Sequence, residues 1–145
     1  MEVCFLDTSA LVKRYYEEPG TDRVDELVES DATVAITSLA VIETASAFRR
    51  KYNRDQIVRD DVDALLATFF EEALDDFVIL PMEESIQGFA FDLILDDDLR
   101  TLDSLQLSAA LSLESDDTDV RFVSTDADLV AVAAARGLSA DNPDD

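Results

Sequence analysis

The stretch VCFLDTSALVKRYYEEPG, from Val3 to Gly20, contains the residues that decide the fold. Its opening VCFL is apolar and predicts a short buried β-strand. Asp7 follows at once, and Thr8 or Ser9 is suited to cap a helix that we predict to run to about Tyr16. The chain has acidic residues in excess elsewhere, so solubility does not explain an aspartate at the end of a buried strand.

The rest of the sequence repeats this alternation of short apolar segments with amphipathic ones. We predict strands at 33–36, 77–80 and 120–123, and helices at 21–30, 38–51, 55–74, 85–95, 101–113 and 126–136. In the helix that begins near Ser38 we expect Leu39 and Ile42 to face the core. Short apolar strands that alternate with helices are typical of a parallel sheet covered on both faces. The predicted fold is therefore a three-layer α/β/α domain.

The length of 145 residues suits a single domain. We place this domain at residues 1–138 and expect an acidic, frayed tail at 139–145. No segment approaches the roughly 20 apolar residues of a membrane span, and the N-terminus lacks the basic start of a signal peptide. Cys4, the only cysteine, is interpreted as a buried thiol, which favours a cytoplasmic protein.

The charge of the chain is strongly acidic. Asp and Glu number 34 against 11 Lys and Arg, which gives a formal net charge of −23. Such charge strains a compact fold by self-repulsion, and salt screens that repulsion. The simplest interpretation is adaptation to molar salt, as in halophilic archaea. The alternative, a mimic of nucleic acid or a binder of basic partners, is less favoured because the acids are scattered over every segment.

The composition excludes several kinds of active site. There is no histidine, so His-based triads and His-ligated zinc are excluded. A single cysteine without histidine makes a cysteine nucleophile a poor hypothesis. None of the three glycines belongs to a phosphate-binding loop motif. The remaining donors are carboxylate, hydroxyl and amide oxygens, which are the ligands that Mg²⁺ and Mn²⁺ prefer.

Four acids lie at or near predicted strand-to-helix junctions or helix N-termini: Asp7, Glu43, Asp103 and Asp126. Each also has a structural interpretation, as a helix cap, a first-turn acid or a solvated residue. The run from Thr125 to Asp128 has the form of a capping box that explains Asp128 better than Asp126. If the four converge, two charges about 4 Å apart repel by about 4 kcal/mol at an effective dielectric near 20. A bound divalent cation relieves such repulsion.

Four segments, taken in order, closely resemble the PIN-domain nucleases, and among them the VapC toxins of toxin–antitoxin pairs. They are FLDTSALVKRYYEEPG, SLAVIETASAFRR, LRTLDSLQLSAAL and FVSTDADLVAVAAARGL, and the resemblance spans Val3 to Leu138. It implies a parallel sheet of about five strands and a metal-dependent endoribonuclease that is usually a homodimer. It also implies a small antitoxin as partner.

The resemblance also implies site residues. The acidic quartet of the family falls on Asp7, Glu43, Asp103 and Asp126, which would hold Mg²⁺ or Mn²⁺. Asp128 matches another position that is often acidic in the family, so the fourth role stays open between it and Asp126. Thr8 and Thr125 match small hydroxyl positions that support the site. In the implied reaction a metal-activated water cleaves an RNA phosphodiester.

Basic residues are few, and five of the 11 fall in one stretch: Arg49, Arg50, Lys51, Arg54 and Arg59. They either contact RNA phosphates or neutralise nearby acids, and neutralisation is the simpler interpretation. Lys13 and Arg14 are further candidates to flank an RNA path.

Two alternative functions stay open, namely an RNA-processing PIN nuclease outside a toxin pair and a PIN-like binding module without activity. A receiver domain or a dehalogenase-like phosphatase fits poorly, because the acids and lysines that they need are missing.

Overall fold

The computed structural model describes all 145 residues. One sheet contains the strands β1 (Glu2–Leu6), β2 (Thr33–Thr37), β3 (Val78–Leu80), β4 (Asp119–Val123) and β5 (Ser139–Asp141). The helices are α1 (Thr8–Leu11), which a 3-10 turn at Val12–Arg14 continues, α2 (Thr21–Val28), α3 (Ser38–Asn53), α4 (Arg59–Asp76), α5 (Glu84–Asp97), α6 (Thr101–Leu113) and α7 (Ala127–Ala135). The largest boundary difference is at α4, which begins at Arg59 rather than near residue 55.

The sheet is entirely parallel, with the strand order β3-β2-β1-β4-β5. Helices cover both of its faces, so the predicted three-layer fold is confirmed. The chain builds outward from β1 to β3 and then returns to the other side of β1 through β4. Parallel sheets carry their sites beyond the carboxyl ends of the strands at such a switch point. Here that point lies between β1 and β4.

The core is divided by the sheet. On the side of α5, α6 and α7, Phe5 and Phe122 from neighbouring strands stack with ring centroids 5.7 Å apart. On the side of α1 to α4, the fully buried residues include Leu6, Ile36 and Phe69. Because β1 is buried on both faces, its position is fixed by packing as well as by hydrogen bonds.

None of the helices combines the length and the apolar character that a bilayer crossing requires.

The prediction of a frayed tail from Ser139 is wrong. Residues 139–141 form β5, which pairs with the outer edge of β4. The Asp141 carboxylate forms ion pairs with Arg23 and Arg121, and Asp144 lies 3.2 Å from Lys13 Nζ. The segment is polar because an edge strand is only half covered, so it lacks the apolar run that identified the other strands.

The face assigned to the core of α3 is also wrong. The buried residues of this helix are Ala40, Thr44, Ala47 and Phe48, whereas Ile42 is 72% exposed. The helix packs against α1 and α4 as well as β2, and its small residues allow this close approach. The apolar Ile42 is consequently presented to solvent.

Candidate active site

Asp7 is both a helix cap and a member of the candidate site. It is the N-cap of α1, in place of the expected Thr8 or Ser9. Its Oδ1 accepts hydrogen bonds from Ala10 N (3.0 Å) and from Ser9 Oγ (2.7 Å). Its backbone N–H donates to Val123 O at 3.1 Å, which continues the pairing of β1 with β4. The carboxylate is therefore held rigidly at the switch point, and only 6% of the residue is exposed.

Glu43 is oriented by two polar side chains. Thr8 Oγ1 donates to Glu43 Oε1 at 2.9 Å, and Gln106 Nε2 donates to the same oxygen at 3.1 Å. Gln106 is itself held by Thr37 Oγ1, which donates to its Oε1 at 3.1 Å. This leaves Glu43 Oε2 without a hydrogen bond from the protein.

Gln106 is a functional candidate that the sequence reasoning missed. It is buried on α6 and lies three residues after Asp103, which places both side chains on one face of the helix. This spacing was the available signal.

The two threonines that were candidates to support the site do so in different ways. Thr8 donates its hydroxyl to Glu43. Thr125 uses its backbone N–H instead, which donates to Ser9 Oγ at 3.1 Å.

Asp7, Glu43 and Asp103 line one cavity of about 230 Å³. The other lining residues are Thr8, Ser9, Val12, Ala47, Arg50, Leu102 and Gln106. The three acids come from the end of β1, from α3 and from the first turn of α6. Residues far apart in sequence thus meet at the carboxyl edge of the sheet.

Asp126 lies beside this cavity without lining it. It is the N-cap of α7, and its Oδ1 accepts from Asp128 N (3.0 Å) and Leu129 N (3.2 Å). The expectation that a capping box explains Asp128 better than Asp126 is therefore wrong. The charge of Asp126 nevertheless reaches Asp103 and raises the pKa of that carboxyl. Asp128 is exposed.

The electrostatics of the site oppose full ionisation. Burial raises the pKa of Asp7 to about 6, and the charge of Asp103 adds to this. Hydrogen bonds from Ser124, Ser9 and Ala10 act in the opposite direction. The pKa of Asp103 is also raised, by burial first and then by the Asp126 charge. None of the four carboxylates is ion-paired with Lys or Arg.

The donor set fits a hard divalent cation. No three acidic side chains are close enough together to hold one ion entirely by themselves. Mg²⁺ usually keeps several waters and takes one or two carboxylates, so an open cavity of this volume with three carboxylates at its wall is compatible with it. Burial first, and then charge repulsion, raise the pKa of Asp7 and Asp103, and a bound cation would favour the ionised form of both carboxyls against these two effects.

Lys13 and Arg14, the candidates to flank an RNA path, do not line this cavity. Lys13 is buried and pairs with Glu18 and Asp144 at 3.2 Å each. Arg14 contacts three carboxylates, those of Asp25, Glu29 and Glu72. Both bases are therefore used to neutralise acids of the chain itself.

A family model described as PIN domain matches residues 4–135. No curated protein matches the sequence significantly. Among solved structures, VapBC2 from Rickettsia felis bound to a promoter DNA fragment is 15% identical with a TM-score of 0.63, covering 97% of this chain and 98% of that chain. FitAcB from Neisseria gonorrhoeae is 15% identical with a TM-score of 0.71, covering 97% of each chain.

A toxin–antitoxin complex from Klebsiella pneumoniae is 14% identical with a TM-score of 0.66 and covers 97% of each chain. At these identities the structural likeness establishes the fold alone. The family model, in contrast, extends over nearly the whole sequence, from β1 to α7. The chain therefore belongs to the PIN domain family.

Proposed function

We propose that this protein is a metal-dependent endoribonuclease that cleaves RNA phosphodiester bonds. The observation that carries the proposal is the cavity at the switch point of a PIN domain, which is lined by three carboxylates from three different elements, none of them ion-paired with Lys or Arg. Such a set of oxygen donors suits a cation that must also contact phosphate.

Asp7, Asp103 and Asp126, with Glu43, are the residues that would hold Mg²⁺ or Mn²⁺. When bound, the cation neutralises developing charge and lowers the pKa of a water for attack on phosphorus. Asp128 stays an alternative to Asp126 in the fourth role. Asp126 is favoured because its charge acts on Asp103.

The protein contributes orientation. Ser9 and the backbone of Ala10 fix one oxygen of Asp7, and Thr8 and Gln106 fix one oxygen of Glu43. The carboxylates consequently keep their relative positions when the substrate arrives, which lowers the cost of reorganisation during the reaction.

The function within a toxin–antitoxin pair is part of the same proposal. Solved structures with this fold are described as VapBC2 and as a toxin–antitoxin complex. A small antitoxin would be the main partner, and uncompensated carboxylates are a natural target for an antitoxin arginine. Coexpression with the product of an adjacent small gene should give a complex and relieve growth inhibition. Failure of both would favour an RNA-processing PIN nuclease outside a toxin pair.

A homodimer is proposed on the basis of an apolar face, formed by exposed side chains of α3 and α5. Ile42, Phe91 and Leu95 are 72%, 66% and 79% exposed. Phe91 also lines a cavity of about 460 Å³ between the two helices, whose lining is mainly apolar and includes Leu39 of α3 and Ile94 of α5. Large apolar patches on a soluble protein mark interaction surfaces, and a second copy would bury this one.

The experiment that tests the proposed activity compares wild type with Asp7→Asn and Asp103→Asn. Cleavage of RNA is measured in molar KCl with Mn²⁺ or Mg²⁺. Molar KCl is chosen because the acidic chain is proposed to be adapted to high salt. We expect cleavage by wild type and loss of cleavage by both variants while folding is retained. Equal activity of all three proteins would refute the mechanism, and a folded wild type without activity would favour the binding module.

A further inference from the structure

The basic residues divide into two groups. Seven of the 11 form ion pairs with carboxylates: Lys13, Arg14, Arg23, Lys51, Arg59, Arg121 and Arg136. The other four, Arg49, Arg50, Arg54 and Arg100, form none. In a chain with 34 acids, an arginine without an acidic partner needs an explanation other than neutralisation.

The four unpaired arginines lie on the two helices that carry site carboxylates. Arg49 and Arg50 belong to the last turns of α3, which carries Glu43, and Arg54 is the C-cap of that helix. Arg100 is the N-cap of α6, which carries Asp103, and its charge lowers the pKa of that carboxyl. The unpaired positive charge is thus confined to the end of α3 and the start of α6, the two helices that also carry Glu43 and Asp103.

Arg50 is the member of this group that lines the carboxylate cavity. It follows Glu43 by seven residues, two helical turns, so both side chains lie on one face of α3 about 10 Å apart along the axis. Arg49, in contrast, is held by Asn53 and lies over the ring of Tyr52. Arg50 is exposed and its side chain makes no hydrogen bond or ion pair within the protein, so its guanidinium is available to a ligand.

The chemistry of a guanidinium at this position indicates its ligand. A planar fork of N–H donors matches two oxygens of a phosphate, the group that every RNA presents whatever its sequence. A net charge of −23 offers RNA no long-range attraction, so the substrate backbone needs a direct contact near the carboxylates. In molar salt the Debye length is about 3 Å. Charges in direct contact still attract each other under these conditions, whereas long-range electrostatic steering of RNA is screened.

We propose that Arg50 binds a backbone phosphate adjacent to the scissile one and so positions the RNA strand along α3 toward Asp7 and Asp103. This inference rests on the proposed nuclease function. It goes beyond that function by naming the residue that holds the substrate outside the metal site.

The test uses the Asp103→Asn variant, so that binding is measured without cleavage. A fluorescein-labelled single-stranded RNA of mixed sequence is titrated by fluorescence anisotropy over a range of KCl in which the protein stays folded. Adding Arg50→Gln should raise Kd by about tenfold, the loss of one charged hydrogen-bonded contact. It should also reduce the slope of log K against log salt by about 0.7, the value for one phosphate on a single strand.

Arg59→Gln is the matched control, because it removes the same charge from an exposed residue that is only weakly paired with Asp63. It should leave the salt slope unchanged. Arg50→Lys should restore the slope but only part of the affinity, since it keeps the charge and loses the fork. In otherwise wild-type protein, Arg50→Gln should raise KM with little change in kcat.

Two outcomes would overturn the inference, and they differ in what they say about the nuclease. Equal Kd and equal slope for Arg50→Gln and Arg59→Gln, with RNA cleavage by wild type intact, would refute the role of Arg50 alone. Absence of both RNA binding and cleavage in every protein would refute this inference together with the proposed function.

Discussion

Replacing Asp7 by Asn should stabilise the protein in the absence of metal. The folded-state pKa of Asp7 is about 6, against an ordinary value of 3.8. The native state therefore binds more protons than the unfolded state between these values, and stability falls as pH rises through this window. At 1.36 kcal/mol per pKa unit, the charged carboxylate costs the fold about 3 kcal/mol above the window.

The substitution keeps the other interactions of this residue. Asn is as good an N-cap as Asp, and its Oδ1 can still accept from Ser9 and Ala10. The free energy of unfolding should rise by up to about 3 kcal/mol at about pH 8 and by much less at about pH 4. For a domain of this size the upper limit corresponds to an increase in Tm of roughly 6–12 °C.

The assay is thermal unfolding in molar KCl with EDTA, at several pH values across this window. Asp116→Asn is the matched control, since it removes one charge from an exposed turn residue and should change stability by less than about 0.5 kcal/mol. A lower Tm for Asp7→Asn at about pH 8 would show that the ionised carboxylate is structural. An equal gain from Asp116→Asn would attribute the effect to net charge alone.

Three further predictions concern the site and the apolar face. Mn²⁺ should raise the Tm of wild type at about pH 8, because a ligand at a hundredfold excess over its Kd adds about 2.7 kcal/mol to the free energy of unfolding. Asp103→Asn should lose most of this gain, and a full gain in the variant would place the ion elsewhere. Gln106→Ala should lower kcat about tenfold through loss of the hydrogen bond to Glu43, and an unchanged kcat would show that Gln106 does not position that carboxylate. Phe91→Asp should convert a dimer into a monomer in sedimentation experiments whereas Asp92→Asn does not, and a persistent dimer would exclude the face on α3 and α5.

The sequence allowed much of the fold to be predicted because its inner strands are apolar on both faces. The segments at β1, β2 and β4 have no competing interpretation, and the acids that follow them are delivered to one edge by parallel pairing alone. This is why Asp7, Glu43 and Asp126 could be expected at the same edge, whereas Asp103, on a helix that follows another helix, was assigned to it by the resemblance to the PIN domains.

The failures occurred where tertiary contacts override local pattern. The strand β5 is polar and short, and it exists because β4 offers it an edge and Arg23 offers Asp141 a partner. The face of α3 was misassigned because the helix buries small residues against α1 and α4 while Ile42 points outward. For Asp7 and Asp126 the sequence offers cap and site residue as alternatives, whereas both are N-caps, Asp7 in the wall of the cavity and Asp126 beside it.

The pairing of β1 with β4 has a consequence for folding. Leu6 lies opposite Val123 in the register of these strands, so the centre of the sheet joins segments separated by most of the chain. Such high contact order slows folding, because a long loop must close before the contact forms. Asp7 and Asp126 reach the same edge only through this pairing. During synthesis the two carboxylates therefore meet only after most of the chain has been made, and the site is among the last parts of the molecule to assemble.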